Sequence, residues 1–234
     1  MKAKLILLLL TLPLLAMAQL RDDIYSTPIG QLTLTQLNHS SIMLKINGKV
    51  IYIDPYERTT NFSELPKADL ILITHEHGDH FDKKTLDKIT TNKTSIVTTA
   101  TVIAAGLPQA KAINNGDTQT WNNIEIKAVP AYNLLHKRPD GNFYHPKGIG
   151  NGYILSFKTF RVYIAGDTEN IPEMATFGKI DIAFLPKNLP YTMTDEQFIE
   201  AAKTVHPKVL YPYHYSELNR EMLSKQLPKE IEFK

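Results

Sequence analysis

The sequence predicts an α+β chain folded as a four-layer αββα sandwich, two mixed β-sheets flanked by helices, and three observations carry that expectation. The order of elements repeats: short β-rich runs, then a continuous apolar run, then helix-like and strand-like segments, with "ADLILIT" at 68–74 in the first cycle and "IDIAFLP" at 180–186 in the second. Each holds a continuous apolar stretch of strand length, as expected of strands buried on both faces. Asn47-Gly48 between "SIMLKI" and "KVIYIDP" is a two-residue hairpin signal, so antiparallel neighbours precede the apolar strand.

Taken in order, "QLTLTQL" alternates as a half-buried strand, and the hairpin strands follow it. After "ADLILIT" comes a polar stretch. "KKTLDKIT" then has helical spacing at Leu86 and Ile89, with Asp82 placed as an N-cap. "SIVTT" reads as a strand and "TVIAAG" as a short helix closed by Gly106. In the second cycle "IEIKAVPAY", "NGYILSF" and "FRVYIAGDT" are strands leading to "IDIAFLP". A helix over 194–205 opens with Thr194 as N-cap and places Asp195 and Glu196 where the helix dipole favours acids. "KVLYPYHY" is expected to be the last strand.

Residues 1–18 are read as a cleaved signal peptide: Lys2 and Lys4, an apolar run at 5–15, then Ala16-Met17-Ala18 before Gln19. The run falls short of the roughly 20 residues that span a bilayer, so the expected product is periplasmic or secreted, without a stable membrane anchor. The rest, 19–234, is expected to be one domain, since no linker or low-complexity tract divides it. Removing the two signal-peptide lysines from the 26 basic residues leaves 24, equal to the 24 acidic ones. A balanced surface offers nucleic acid no basic stripe. The expected partner is a small molecule, and the sequence specifies no oligomer. With no cysteine, any metal must be held by nitrogen and oxygen ligands.

"HEHGDH" at 75–80 holds three of the chain's eight histidines directly after an apolar strand. Side chains two apart on extended backbone point the same way, so His75 and His77 can face one metal ion while Glu76 points elsewhere. Gly78 permits a turn, beyond which Asp79 and His80 can face a second ion. Three imidazoles and a carboxylate at this spacing point to metal binding.

"THEHGDHFD" resembles the HxHxDH signature of the metallo-β-lactamase-fold hydrolases. With "VPAYN", "HPKGIGNGYIL", "RVYIAGDT", "LPYTMT" and "YPYHY", the chain from about 31 to 215 looks like the lactonase-like branch that includes ascorbate-6-phosphate lactonase. More distantly it is similar to N-acyl-phosphatidylethanolamine phospholipase D. The resemblance implies two divalent cations, with zinc the default and manganese or iron as alternatives. It assigns His75, His77 and His145 to one ion and Asp79, His80 and His214 to the other, with Asp167 bridging. Two dications held by two carboxylates leave excess positive charge, which favours a bridging hydroxide and lowers the pKa of bound water from 15.7 toward about 7. Such a nucleophile would cleave a lactone, ester or phosphodiester bond, with Asp79 orienting it or taking its proton. The alternatives are a phospholipase D-like enzyme acting on lipid head groups and a non-catalytic metal-binding scaffold or sensor. The resemblance disfavours diiron flavoprotein chemistry, which uses a glutamate where His77 stands.

Several residues stay open. His136 competes with His145 for the third position at the first ion. His39 is either at the mouth of the site or packed in the core, whereas His206, at a helix end before Pro207, reads as structural. The long segment 131–152, with Tyr132, Asn133, Lys137, Arg138, Phe143, Tyr144 and Lys147, could wall a pocket for an anionic substrate or be a solvated loop. Of these, Tyr132 and Lys147 are candidate substrate contacts, together with His39 and Lys187. Tyr191 and Thr192 are expected to position their loop rather than react.

Overall fold

The computed structural model describes residues 20–234. The signal-peptide expectation for 1–18 therefore lies outside the described residues. Two seven-stranded mixed sheets form the centre. The first runs in chain order through β1 (Asp22–Thr27), β2 (Gly30–Asn38), β3 (Ser41–Ile46), β4 (Lys49–Ile53), β5 (Leu70–Leu72), β6 (Ser95–Thr98) and β7 (Lys111–Ala112). Neighbours from β1 to β4 are antiparallel, and from β4 to β7 parallel. The second sheet repeats the pattern with β8 (Thr118–Trp121), β9 (Ile124–Ala131), β10 (Gly150–Phe157), β11 (Phe160–Ile164), β12 (Ile182–Pro186), β13 (Val209–Tyr213) and β14 (Glu232–Phe233). Its pairs are antiparallel as far as β11 and parallel beyond. Helices α1 (Lys83–Ile89) and α2 (Ala100–Ala104) belong to the first half, α3 (Asp195–Val205) and α4 (Arg220–Gln226) to the second.

The two-residue period of a strand explains why the central strands are apolar on consecutive positions. In the first sheet Ile42, Leu44, Ile51, Ile53, Leu70 and Leu72 enter a core shared with Tyr153, Leu155, Ile182 and Phe184 of the second. The intervening Met43, Tyr52, Ile71 and Ile73 face the other way and pack with Leu86 and Ile89 of α1 and Val102 of α2. On the far side Ile154, Tyr163, Ala183 and Leu185 pack with Phe198, Ile199 and Ala202 of α3 and Leu223 of α4. Each central strand thus separates two apolar layers, which gives the four-layer sandwich.

The helix ends follow from their capping residues. Asp82 accepts from Lys84 N at 3.0 Å and caps α1. Thr194 and Gln197 form a reciprocal capping box on α3, satisfying two otherwise orphaned backbone donors. The expectation that 208–215 holds the last strand is corrected: β13 ends at Tyr213, and β14 pairs with it at the edge of the second sheet. No helix among the described residues is long and apolar enough to cross a membrane.

Gly166 is required where β11 delivers the chain to the site. Its φ is +67°, and an added Cβ would stand 2.7 Å from the backbone oxygen of Asn151. A left-handed non-glycine residue costs about 1–2 kcal/mol, and overpacking against backbone adds about 1–3 kcal/mol. Gly166→Ala is therefore expected to lower the melting temperature by roughly 5–15 °C for a chain of this size. Thermal denaturation checks it, and an unchanged melting temperature would contradict the packing described.

Candidate metal centre

The site lies where strands of both sheets end. β4 delivers Asp54, and β5 leads to Thr74, His75 and His77. A tight turn follows, with His80 N and Phe81 N both donating to His77 O at 3.0 and 2.8 Å, and it swings Asp79 and His80 inward ahead of α1. The long connection from β9 to β10 brings His145, β11 brings Asp167, and β13 brings His214. His39, in the turn between β2 and β3, is tied to the end of β13 by His214 N donating to His39 O at 2.7 Å. Three of these residues, His39, Asp54 and His214, have positive φ (29°, 44° and 49°), which costs on the order of 1–3 kcal/mol each unless the surroundings enforce it. That strain is concentrated where the donors meet.

The described residues contain three groups of donors whose ligating atoms lie within 4.8 Å of one another: His75, His77 and His145; His75, His80 and Asp167; and His39, Asp79 and His214. Asp167 joins them. One of its oxygens, Oδ2, is 3.2 Å from His145 Nε2, 3.3 Å from His214 Nε2 and 3.9 Å from His75 Nε2, while Oδ1 is 3.4 Å from His80 Nε2. Asp79 Oδ2 is 3.2 Å from His214 Nε2 and 3.0 Å from His39 Nε2.

These donors suit divalent cations. Ligands about 2.0–2.2 Å from a tetrahedral centre are separated by roughly 3.3–3.6 Å, close to the Asp167 to His80, His145 and His214 separations of 3.2–3.4 Å. His80 Nε2, His145 Nε2 and Asp167 Oδ1 are buried without a hydrogen-bond partner. An orphaned buried polar atom costs about 1–3 kcal/mol. The unpartnered His80 Nε2 and Asp167 Oδ1 lie 3.4 Å apart, a separation that two ligands of one cation can have.

Neighbouring groups hold the histidines in the ligating tautomer. Asp54 is fully buried and accepts from Thr74 N at 2.7 Å, from Thr74 Oγ1 at 2.8 Å and from His80 Nδ1 at 2.8 Å. A carboxylate only accepts, so Nδ1 carries a hydrogen and Nε2 is the atom left to ligate a cation, which would take the place of any proton there. Asn133 does the same for His145. Its Nδ2 donates to Glu169 Oε1 and Tyr191 O, which leaves Oδ1 to accept from His145 N at 2.7 Å and from Nδ1 at 3.0 Å. Burial, then the neighbouring imidazole of His80 for His75 and of His145 for His77, depress both below their ordinary value, which favours the neutral, ligating form. Burial opposes ionisation of Asp79 and Asp167, but hydrogen bonds from His214 and His39 for the first, and the nearby imidazoles of His214 and His80 for the second, hold both carboxyls well below the usual range. Burial also opposes charge on His80, and Asp167 and Asp54 outweigh it to raise that imidazole.

The sequence-predicted residues divide cleanly. His75, His77, Asp79, His80, His145, Asp167 and His214 converge. His39 joins them, beside Asp79, rather than packing in the core away from the site. His136 is engaged elsewhere, with Nδ1 2.8 Å from Glu169 Oε1, and belongs to none of the three groups.

Three candidate substrate contacts stand apart from the cleft. Tyr132 is buried and donates its hydroxyl to Glu173 at 2.8 Å, and Lys147 pairs with the same carboxylate at 2.8 Å. Lys187 is spent on Asp195 at 2.8 Å. None of the three lines the cleft above the metal centre, which has a volume of about 510 Å³ and is walled by Tyr56, Arg58, Arg138, Tyr144 and Tyr191. Asp54 and Glu169 were not singled out from the sequence. Glu169 is buried and accepts from the backbone N of Leu134, Leu135 and His136, fixing the loop that carries Asn133.

Residues 33–214 match the family model described as a beta-lactamase superfamily domain, and the chain belongs to that superfamily. Within it the chain is one of the metal-dependent hydrolases. A metal-dependent hydrolase of Thermus thermophilus is 32% identical over 191 residues, covering 77% of this chain and 82% of that protein. A crystal structure from Parabacteroides distasonis, described as a metal-dependent hydrolase, superposes with a TM-score of 0.87 at 44% identity, over 92% of this chain and 97% of that one. A metallo hydrolase of Ignicoccus hospitalis, with a TM-score of 0.68 and 24% identity over 87% of this chain and 94% of that one, shares the fold.

Proposed function

We propose that the chain is a dinuclear hydrolase that cleaves a lactone, ester or phosphodiester bond in a small molecule, and that it works in the periplasm or outside the cell. The convergence of four imidazole nitrogens on the two oxygens of Asp167 carries the reading, because one carboxylate placed so centrally can serve two cations. His75, His77 and His145 would hold one ion and Asp79, His80 and His214 the other. When bound, the ions polarise the scissile carbonyl or phosphoryl oxygen and bring a water's pKa down toward about 7, with zinc the default and manganese or iron compatible with the same donors.

The remaining work falls to the protein. Asp79 is the partly exposed acid at the cleft floor, its side chain 39% accessible, so it can orient the attacking water and accept its proton. His39 and His214 fix that carboxylate from two sides. The cleft is of small-molecule size, and among the described residues no aliphatic side chain lines it, which weighs against lipid head groups carrying acyl chains. Export is supported by the basic, apolar and small-residue succession of 1–18.

A panel of lactones, esters, phosphodiesters and β-lactams tests the reading. At least one of the first three classes should be hydrolysed, activity should vanish on chelation, and zinc should restore it. Chelation should also destabilise the fold, by about 2.7 kcal/mol if the metal had been present at a hundred times its dissociation constant. Turnover that survives complete metal removal would overturn the proposal.

A further inference from the structure

Two guanidinium groups stand over the metal centre without a carboxylate partner among the described residues. Arg58 Nη1 is 3.4 Å from His39 Nδ1, on the side of the His39, Asp79 and His214 group. Arg138 Nη2 is 3.3 Å from His77 Nε2, on the side of the His75, His77 and His145 group. Both line the cleft.

Arg138 is held firmly. It sits on a small hairpin in which Arg138 N donates to Asn142 O at 2.7 Å and Lys137 bridges to Phe143. Its guanidinium lies 5.3 Å from the centre of the Tyr144 ring, which meets Tyr191 edge-on at 5.0 Å. Among the described residues the only acids lining the cleft are Asp79 and Asp167, and both belong to the donor set.

An arginine in such a place is costly without an anion. Two dications already exceed the charge of the two carboxylates, and two guanidiniums raise the surplus further in a concave site that focuses the field. A ligand anion would offset it, and a planar fork suits the paired oxygens of a phosphate or carboxylate.

We infer that the substrate of this site is an anion whose phosphate or carboxylate, distinct from the bond being cleaved, is bound by Arg58 and Arg138. The inference rests on the hydrolase reading for the identity of the site. It replaces Lys147 and Lys187, both committed to acids, with the two arginines that are free to bind.

Isothermal titration of the whole protein with phenyl phosphate, phenylacetate and uncharged benzyl alcohol tests it, in metal-loaded and metal-stripped forms. The anions should bind at least about tenfold more tightly than benzyl alcohol, and whichever anion binds better identifies the group recognised. Arg58→Gln and Arg138→Gln should each weaken anion binding about tenfold, equivalent to about 1.4 kcal/mol, with metal content and melting temperature unchanged. The arginine-dependent share should persist in the stripped protein. Failure to take up metal would end the hydrolase reading and leave that stripped-protein titration to judge the arginines. Anions bound no better than benzyl alcohol, or anion binding that disappears with the metal and is indifferent to both arginines, would overturn the inference.

Discussion

Asp167→Ala is expected to reduce turnover by at least about 10³-fold, more than loss of a single oxyanion-stabilising donor usually costs, while the protein remains folded. Its two oxygens approach four histidine nitrogens between 3.2 and 3.9 Å, so removing the carboxylate unbalances both proposed ion sites at once. His80 and His214, whose rings stack at 5.0 Å, would lose the buried carboxylate that lies within 3.4 Å of both and keep only Asp79 between them. Metal content should fall with activity, and circular dichroism should report an intact fold. A variant that retains both metal and turnover would remove Asp167 from the centre of the mechanism.

Asp54→Asn is the second large effect, and it acts without touching the reacting atoms. The amide can still accept from Thr74 N through one oxygen. Its NH2 group, however, replaces an acceptor that faces Thr74 Oγ1 and His80 Nδ1. His80 Nδ1 must then accept rather than donate, which moves the hydrogen to Nε2, the atom facing Asp167. Metal affinity is expected to drop by about 10–100-fold, the usual cost of losing an outer partner of a metal-ligating histidine. Breaking a buried charged contact further costs about 3–5 kcal/mol of stability. Metal titration and thermal denaturation read the two effects separately. Asp54→Asn with wild-type affinity would mean that the His80 tautomer is set by something else.

The parts legible in the sequence share a physical cause. Central strands are buried on both faces, so "ADLILIT" and "IDIAFLP" stand out as apolar runs, and every donor cluster except His145 in its long loop and His39 in its turn sits just past a buried strand, at β5, β11 or β13. The repeated half-pattern became the two sheets with matching antiparallel-then-parallel order. The edges were less visible. β7 and β14 are two residues long, and β1 and β8 alternate with partly exposed positions, so their patterns hardly differ from polar loops. Asp54 followed by Pro55 looks like an ordinary turn; only three-dimensional placement reveals its contact with His80, 26 residues on. Lys147 and Lys187 pair with Glu173 and Asp195, and a sequence shows a cation but not the nearby acid that pairs with it. Arg138, in the same loop, is the one the hairpin turns toward the metals.

Metal stoichiometry of the purified protein, by elemental analysis paired with anomalous scattering from crystals, tests the central claim most directly. Two divalent ions per chain are expected, one among His75, His77 and His145 and one among Asp79, His80 and His214, with Asp167 against both. A metal-replete preparation holding no transition metal at these residues would contradict it.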